Sequence, residues 1–446
     1  MTDTIYALAS ARGQGGVAVI RVSGAHAHES LKNFTGETDV TYRRALLREL
    51  KRPVSRETLD NALVIAFKAP HSYTGEDVVE YHLHGGMAVI QGVLNALSAE
   101  ENYRMAEPGE FTRRAFENGK MDLTEAEAIA DLIHAETQLQ KSQALSQMSG
   151  ALADIYDNWR EGLIKILAYV EAEIEFPDED LPDNIVPKIT PKIVDMLAEI
   201  DAHLNDNRRG ERLRNGIHVA VIGAPNAGKS SLVNALVRRD VAIVSDIAGT
   251  TRDVIEAHLD IGGYPVILSD TAGLRPDQIG TQGQDSIESE GIRRALKIAE
   301  KADIRVILYD ASQAEPDQHS FTLEQQKNTI AVINKIDQGV QINHPNNPLE
   351  ISVTNNTGIT AFLARLTQEI DGLLGKADEA PALTRQRHRD ALIDCRASLK
   401  RCLNAPLPEL TAEDLRLAVR HLGRITGKVD VEDLLDVVFR DFCIGK

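Results

Sequence analysis

The stretch VAVIGAPNAGKSSLVNAL, Val219 to Leu236, places an apolar run directly before the pattern G-x-x-x-x-G-K-S, which spans Gly223 to Ser230. An apolar run, a glycine-rich loop and a helix-forming segment in this order predict the strand, loop and helix of a phosphate-binding P-loop. In such a loop the glycines let backbone N–H groups approach phosphate oxygens, Lys229 brings positive charge to the β- and γ-phosphates, and the Ser230 hydroxyl binds Mg²⁺. The stretch therefore predicts a nucleotide-binding domain.

Further apolar runs mark the rest of this domain. Together with the run before the P-loop they read GIHVAVIG, YPVILSD, DIRVILYD and NTIAVINK, and they begin at residues 216, 264, 303 and 328. Unbroken apolar runs of this length are typical of parallel strands that are buried on both faces. Helix-forming segments lie between them, so residues 216–375 are predicted to form a doubly wound α/β domain.

Motifs at the ends of these strands identify the nucleotide. Asp270, in SDTAG, ends a strand where a carboxylate would hold the Mg²⁺ shell, and the Gly273 amide would reach the γ-phosphate. In VINKID, the residues Asn334, Lys335 and Asp337 follow a buried strand. A carboxylate there can accept two hydrogen bonds from a guanine edge, which adenine cannot offer. The sequence therefore predicts GTP.

Two other segments complete the predicted site. In ISVTNNTG, which begins at Ile351, Ser352 and Val353 are predicted to form the last loop that contacts the base. In VSDIAGTTRD, Val244 to Asp253, both Thr250 and Thr251 are candidates for the switch threonine that reaches Mg²⁺. Leu274, after DTAG, stands where GTPases of the Ras type carry the glutamine that orients the attacking water. The group that orients water is therefore predicted to come from elsewhere.

Chain length, composition and net charge limit the possible functions. The chain has 446 residues, 43% hydrophobic and 26% charged, which is enough for about three domains of roughly 150 residues each. A net charge of −18 argues against an autonomous nucleic-acid binder, so any RNA contact is expected to be local or shared with a partner. Three cysteines form no metal-binding pattern. The amino terminus resembles no secretory signal and no run is long enough for a membrane span, so a cytoplasmic protein without membrane contact is expected.

Outside the nucleotide-binding domain the sequence has two kinds of pattern, one β-rich and one helical. Residues 1–118 mix short β-rich runs, GVAVIRVSG and NALVIAFKAP, with turn residues, and are predicted to form an α/β domain. Residues 119–215 and 376–446 have helical periodicity, and Asp122 and Thr124 are both possible N-caps of the first helix. The economical prediction is one discontinuous helical domain into which the nucleotide-binding domain is inserted.

Motifs along nearly the whole chain resemble one known family. They are GGVAVIRVSG, YTGEDVVEYHLHGG, PGEFTRRAFENGKMDLTEAEAIADLI, GAPNAGKSS, DIAGTTRD, DTAGL, NKID and the terminal FCIGK. In this combination they are similar to the MnmE family of tRNA-modification GTPases, also called TrmE. The resemblance implies a homodimer whose amino-terminal domain binds a tetrahydrofolate one-carbon carrier. It also implies a flavin-dependent partner subunit of the MnmG or GidA type, in a heterotetramer that modifies C5 of the wobble uridine of tRNA.

The resemblance also assigns a folate site. Matched by motif, the residues that would bind a 5,10-methylene or formyl derivative of tetrahydrofolate are Arg21, Glu80, Lys120 and Lys446. Cationic and carboxylate groups can read a glutamate tail and a pterin edge. Without the family, Arg21 and Lys120 would be interpreted as surface charges and Glu80 as a residue at a strand edge. Cys443 is either part of this site or a small buried hydrophobic residue.

The resemblance also implies which groups complete hydrolysis in the absence of the glutamine, namely a K⁺ ion and a glutamate. In the family, hydrolysis is completed when two G domains meet, and K⁺ takes the place of an arginine finger. Matched by motif, the K⁺ ligands would be Asn226, Ser245, Ile247 and Thr250, with Ser230 and Thr251 on Mg²⁺. The glutamate that orients water would be Glu288. Glu290 is the alternative, because this loop is longer than usual and its alignment with the family motif can be shifted by two residues.

Motifs and resemblance together give the full nucleotide site. Its predicted residues are Asn226, Ala227, Gly228, Lys229, Ser230, Ser231, Ser245, Asp246, Ile247, Ala248, Gly249, Thr250, Thr251, Asp270, Thr271, Ala272, Gly273, Asn334, Lys335, Asp337 and Ser352. Two other functions stay open, namely a GTP-regulated ribosome-assembly factor that binds RNA without modifying it, and a folate-dependent transferase with a regulatory G domain. The acidic charge argues against the first, because such factors commonly carry a basic appendage.

Overall fold

The computed structural model describes residues 3–11, 13–175, 185–239, 256–270, 297–375, 381–429 and 432–440, and the single positions 241, 243, 442, 444 and 445. The chain divides into two compact units. The first comprises Met1–Ala130, Gln147–Glu179 and Pro406–Lys446, and the second comprises Asp131–Ser146 and Asp180–Ala405. The three predicted domain boundaries, after residues 118, 215 and 375, stay predictions.

Strands and helices are numbered in chain order. The strands are β1 Thr4–Leu8, β2 Gly15–Ser23, β3 Leu46–Lys51, β4 Thr58–Phe67, β5 Val78–Gly85, β6 Tyr103–Met105, β7 Ile217–Ile222, β8 Glu256–Ile261, β9 Tyr264–Asp270, β10 Ile304–Asp310, β11 Thr329–Asn334 and β12 Leu349–Glu350. The helices with described bounds are α1 Ala27–Thr35, α2 Met87–Ser98, α3 Glu110–Glu117, α4 Leu123–Ile133, α5 Gln138–Met148, α6 Ala151–Glu175, α7 Ile185–Leu204, α8 Arg209–Asn215, α9 Lys229–Val237, α10 Gln318–Glu324, α11 Ile359–Leu374, α12 Gln386–Cys402, α13 Pro408–Thr426 and α14 Glu432–Arg440.

The first unit contains a six-stranded sheet in the order β3-β4-β5-β2-β1-β6. All pairs are antiparallel except β1 with β6. Because side chains alternate along a strand, Ala18, Ile20 and Val22 of β2 point into a core that α1 and α2 cover. Arg21 therefore lies on the opposite face of the sheet, which we call the outer face.

Helices make up the rest of the first unit. The helix predicted after Lys120 is present, and Asp122 caps it rather than Thr124. The Asp122 Oδ1 accepts hydrogen bonds from the backbone N–H groups of Thr124 at 2.6 Å and Glu125 at 3.0 Å, while the Glu125 carboxylate accepts from the Asp122 N–H at 2.8 Å. This reciprocal arrangement is a capping box. Further along, α6 packs against α13, and α14 packs against α4 through Phe439 and Leu123.

The second unit contains a sheet in the order β12-β11-β10-β7-β9-β8. The four predicted strands, β7, β9, β10 and β11, are parallel to their neighbours among them, as predicted. Alternate residues of β7 enter different cores, with Val219 and Val221 in one and Ala220 and Ile222 in the other. Both faces of this sheet are thus covered, which confirms the doubly wound α/β fold. The edge strand β8, antiparallel to β9, was not predicted.

Buried ion pairs join the helical segments of the second unit. Arg389, on α12, donates from Nε to Glu211 Oε1 at 2.8 Å and from Nη2 to Asp206 Oδ1 at 2.6 Å. It also donates to the backbone carbonyl of Leu204 at 2.8 Å, so its guanidinium is satisfied on three sides. Such a pairing fixes α12 against α7 and α8. Among the described helices, none combines the length and the hydropathy needed to cross a membrane.

Candidate functional site

The P-loop follows β7 at the carboxyl end of the parallel strands. Gly223 has φ 156°, and a Cβ added there would lie 2.2 Å from the Leu308 carbonyl oxygen. Gly228 has φ 99°, and a Cβ there would lie 2.3 Å from the Asn334 Nδ2. Larger residues would therefore clash at both positions. The glycines of the motif are required by the contact of the loop with its neighbours as well as by its approach to phosphate.

Lys229 lies across the loop at the start of α9. Its ammonium donates hydrogen bonds to the carbonyl oxygens of Gly223 and Ala224, both at 2.9 Å, and the residue is only 8% exposed. Asn226, at the tip, is exposed and has φ 64°, a left-handed conformation that asparagine tolerates better than most residues. Ser230 lies in the first turn of α9, where an N-terminal helix dipole favours anions. The predicted strand, loop and helix are therefore present.

Asn334 joins the P-loop to the base loop. Its side chain is 2% exposed, and Nδ2 donates to the Ala227 carbonyl oxygen at 3.0 Å. Its Oδ1 accepts from the Val353 N–H at 3.2 Å. One amide thus holds two loops that are far apart in sequence.

Lys335 and Asp310 form an ion pair beside this junction. The Lys335 Nζ lies 2.7 Å from Asp310 Oδ2, and Lys335 has φ 67°. Burial alone would raise the pKa of the Asp310 carboxyl, but hydrogen bonds from Lys335 and Ser312 outweigh this effect and hold the pKa below its ordinary value. The carboxylate therefore stays charged at neutral pH and fixes the lysine stem.

Asp337 follows β11 and is an exposed carboxylate beside the loop of residues 351–358, which is the base loop. Its Oδ1 accepts a hydrogen bond from the Ser352 hydroxyl at 2.5 Å, and the same hydroxyl accepts from the Asn355 N–H at 3.1 Å. Ser352 and Thr357 exchange two backbone hydrogen bonds of 3.0 Å, which close the loop. Asp337 is therefore oriented by a loop that two backbone hydrogen bonds close. The structure brings it together with Ser352, and through the base loop with Asn334.

Sheet register explains why distant motifs meet. Asp310 lies beside Asn334 in the register of β10 and β11, and Val221 lies beside Asp270 in that of β7 and β9. All these positions are at the carboxyl edge of the parallel strands, where ligands bind in open α/β sheets. A hydroxyl from Ser230 and a carboxylate from Asp270 are oxygen ligands of the kind that Mg²⁺ prefers, so the residues present fit that ion.

Several predicted site residues lie outside the described part of the chain. They are Ser245, Asp246, Ile247, Ala248, Gly249, Thr250, Thr251, Thr271, Ala272, Gly273, Leu274, Glu288, Glu290, Cys443 and Lys446, together with the side chain of Asp270. Their roles stay predictions.

A second candidate site lies on the outer face of the first sheet. Arg21 on β2 and Glu80 on β5 are cross-strand partners, and Arg21 Nε and Nη2 both lie 3.0 Å from Glu80 Oε1. The Arg21 guanidinium carbon is 4.8 Å from the ring centroid of Tyr73 and 5.6 Å from that of Phe111. Both side chains of the ion pair are 17% exposed. The pair is thus rigidly held and accessible.

Tyr73 belongs to a loop that also contacts the Lys120 region. Burial raises the pKa of the Tyr73 phenol, although its hydrogen bond to Thr112 and the charge of Arg21 act in the opposite direction. Lys120 Nζ donates to the Pro70 carbonyl oxygen at 2.9 Å, and Asn118 Nδ2 donates to the Thr74 carbonyl oxygen at 2.7 Å. The segment that holds Tyr73 against Arg21 therefore also holds Lys120.

Gly445, near the carboxyl terminus, packs beside the same sheet. A Cβ added to Gly445 would lie 2.1 Å from the Leu8 carbonyl oxygen, so the backbone there runs directly against the end of β1. Leu8 is the cross-strand partner of Ile20, the residue next to Arg21. The position that precedes Lys446 is therefore close to the strand that carries Arg21.

Sequence reasoning missed some residues of both sites. Asp310 ends a strand that was predicted, but its pairing with Lys335 depends on register. Tyr73 lies inside YTGEDVVEYHLHGG, and the aromatic residue next to an expected cationic site was an available signal. His82 lies in the same motif.

Two family profiles match the chain. One described as "GTP-binding protein TrmE N-terminus" matches residues 4–120, and one described as "MnmE helical domain" matches residues 123–443. Three relatives, each named tRNA modification GTPase MnmE, are similar over their whole length. The chain is 52% identical to that of Parvibaculum lavamentivorans, with 100% of both chains covered. It is 48% identical to that of Rhodospirillum rubrum, covering 100% of this chain and 99% of the relative, and 46% identical to that of Rickettsia bellii, covering 100% of both.

Proposed function

The chain belongs to the MnmE family of tRNA modification GTPases, and on this premise we propose that it is a K⁺-dependent GTPase activated by G-domain dimerisation. With a flavin-dependent partner of the MnmG or GidA type, it adds a folate-derived one-carbon unit that bears an amine substituent to C5 of the wobble uridine of tRNA. The reaction takes place in the cytoplasm. The 52% identity over the whole chain supports the family's activity for this chain.

The guanine loop is the observation that carries the GTPase assignment. Asp337 is exposed, is oriented by Ser352, and is linked through Asn334 to the P-loop. A carboxylate can accept hydrogen bonds from both N1–H and the 2-amino group of guanine, whereas the matching edge of adenine offers no such pair of donors. Ser230, Thr251 and Asp270 would hold Mg²⁺, which neutralises phosphate charge when bound. Lys229 supplies the protein's own positive charge to the same phosphates.

The K⁺ requirement is tested by exchanging the cation. GTP turnover should be at least about tenfold faster in K⁺ than in Na⁺ at equal ionic strength, because a cation beside the phosphates stabilises charge in the transition state. Asn226→Gly should lose most of this difference while nucleotide affinity changes little. Glycine is the appropriate replacement, because alanine at φ 64° would add backbone strain of its own. Steady-state rates in the two salts provide the measurement, and equal rates for the unaltered protein would remove K⁺ from the mechanism.

The proposed folate site uses Arg21, Glu80, Lys120 and Lys446. The residues present fit a reduced folate. Glu80 retains an oxygen, Oε2, for N–H donors of the pterin ring, and Arg21, which is paired with Glu80, can donate to the same ring. Lys120 is a cation for the glutamate carboxylates. A bound tetrahydrofolate derivative would supply the one-carbon unit. The chain's own residues bind and orient it, and the aromatic rings beside Arg21 exclude water from one side of the ion pair.

Arg21→Ala should weaken the binding of 5-formyltetrahydrofolate by about ten- to a hundredfold, because a hydrogen bond to a charged group contributes roughly 1.5–3 kcal/mol. Isothermal calorimetry on the full chain measures the change. Arg48→Ala is the matched control, since Arg48 lies on β3 of the same sheet and pairs with Glu37 at 2.8 Å. An unchanged dissociation constant for Arg21→Ala would remove Arg21 from the site.

The proposed homodimer is supported by exposed apolar residues on the outer face. Leu47 and Leu63 are cross-strand partners that are 65% and 46% exposed, and Val17 on β2 is 63% exposed. Burying such a face against a second copy would remove apolar area from water. Sedimentation of the full chain tests this. A monomer at all concentrations would contradict it.

The modification itself is tested in cells. We expect bulk tRNA from cells that lack this protein to lose the modified wobble uridine in nucleoside analysis. The alternative function, a GTP-regulated ribosome-assembly or RNA-binding factor, predicts unchanged tRNA nucleosides and altered ribosomal subunits. The net charge of −18 favours the modification, because that alternative commonly uses a basic RNA-binding segment.

A further inference from the structure

His82 lies beside the proposed folate site but is not one of the residues proposed to bind the folate. It follows Glu80 by two residues on β5, so both side chains project from the outer face. The His82 Nε2 is buried and has no hydrogen-bond partner among the residues that the structure describes. It lies 3.5 Å from Glu80 Oε2. A buried nitrogen without a partner is unfavourable in a folded protein, which points to a role with a ligand.

The two oxygens of Glu80 are in different situations. Oε1 is engaged by both Nε and Nη2 of Arg21, each at 3.0 Å. Oε2 faces His82 instead. Because Arg21 is held by the rings of Tyr73 and Phe111, the pair does not need to rearrange when a ligand binds. Oε2 is therefore the oxygen with which a bound ligand can make a new hydrogen bond.

Few other charges can influence His82. Its cross-strand neighbours, Val19 on β2 and Leu63 on β4, are apolar. His84, further along β5, is 71% exposed and pairs with Asp60 at 2.7 Å, and Asp60 also accepts the His84 backbone N–H. Among the described residues of β2, β4 and β5 that adjoin His82, the charged groups are thus Glu80 and, through it, Arg21. Glu80 Oε2, at 3.5 Å, is therefore the charged atom on these strands with which the imidazole can interact directly.

We propose that His82 is a positioning residue of this site and makes folate binding dependent on pH. When neutral, the imidazole leaves Glu80 Oε2 free to accept N–H donors from the pterin edge of the ligand. When protonated, it forms an ion pair with Oε2 and competes with those donors. The inference rests on the proposed function, because it assumes that Arg21 and Glu80 bind a reduced folate.

The direction of the pH effect follows from this competition. A ligand at Oε2 disfavours the imidazolium, so binding releases protons, and acid opposes binding. Imidazole is the side chain that ordinarily changes charge between about pH 5 and pH 8. A ligand that lowers the pKa of a group by one unit when it binds has about tenfold lower affinity for the protonated form of that group. The affinity should therefore fall about tenfold from about pH 8 to about pH 6.

The test uses the full chain and 5-formyltetrahydrofolate, with calorimetry at about pH 6 and about pH 8. We expect the unaltered protein to bind about tenfold more weakly at the lower pH, with a binding enthalpy that depends on the ionisation enthalpy of the buffer. His82→Gln keeps a polar side chain but cannot take a proton, so its affinity should be the same at both pH values. His84→Gln is the matched control on the same strand and face, and it should retain the tenfold difference.

The outcomes separate the two proposals. Equal affinity of the unaltered protein at both pH values, or a pH difference that persists in His82→Gln, would overturn the role of His82. The folate site would still stand if binding occurs and Arg21→Ala weakens it. No binding of 5-formyltetrahydrofolate at either pH would overturn both.

Discussion

Asp337→Asn should lower the affinity for GTP by about 10²- to 10³-fold and raise the affinity for xanthosine triphosphate. The carboxylate accepts two donors from guanine, and the change replaces one acceptor oxygen with an N–H₂ group that faces the 2-amino group of the base. Xanthine carries a carbonyl oxygen at that position, to which the asparagine amide can donate. The predicted result is a change of base specificity rather than a loss of folding, because Asp337 is exposed.

Competition binding with GTP and xanthosine triphosphate measures this change of base specificity. Ser352→Ala is the control for orientation alone, since it removes the 2.5 Å hydrogen bond to Asp337 but keeps the carboxylate. Its GTP affinity should fall by about tenfold, without a gain for xanthosine triphosphate. If Asp337→Asn still preferred GTP with unchanged affinity, guanine would be read by another residue.

Glu288→Ala should reduce kcat for GTP hydrolysis by about 10² or more and leave nucleotide affinity nearly intact. Leu274 stands where GTPases of the Ras type carry the water-orienting glutamine, so another group must place the attacking water. A residue that acts only on that water stabilises the transition state and not the ground state. The loss should therefore also appear when K⁺ is saturating, because the cation acts on phosphate charge and the glutamate acts on water.

Glu290→Ala is the matched control, two residues away in the same segment. Both residues lie outside the described part of the chain, so steady-state rates of the two variants decide the register. A normal rate for Glu288→Ala together with an inactive Glu290→Ala would assign the role to Glu290.

The central strands of the second sheet could be predicted because they are buried on both faces, so burial alone determines their pattern of apolar residues. The run VAVI before the P-loop is apolar at every position because its two faces enter different cores, and this leaves a continuous signal. Strand β8, EAHLDI, alternates between buried and at least partly exposed residues and was missed. Its turn offered a signal, since Gly262 and Gly263 have φ 64° and 89°, the conformation that a two-residue hairpin requires.

The sites were predictable only as far as their motifs are local. Asp337 and Lys229 could be predicted as site residues because each belongs to a short pattern with a chemical reason. The contact of Asn334 with Ala227 spans 107 residues, and no local pattern contains it. The pairing of Arg21 with Glu80 depends on the register of two strands that are far apart in sequence, so composition and spacing do not give it. That assignment came from the family resemblance.

The side-chain amide of Asn334 has a consequence for how binding energy is distributed along the nucleotide. Because it holds the Ala227 carbonyl and the Val353 N–H at once, a guanosine that orders the base loop also orders the loop that receives the phosphates. The conformational entropy lost in that ordering is then lost only once when both fragments bind. Guanosine and pyrophosphate should therefore bind with positive cooperativity when added as separate molecules. A change at Asn334 would weaken this cooperativity as well as each contact, so the base and the phosphates cannot be assigned independent shares of the affinity.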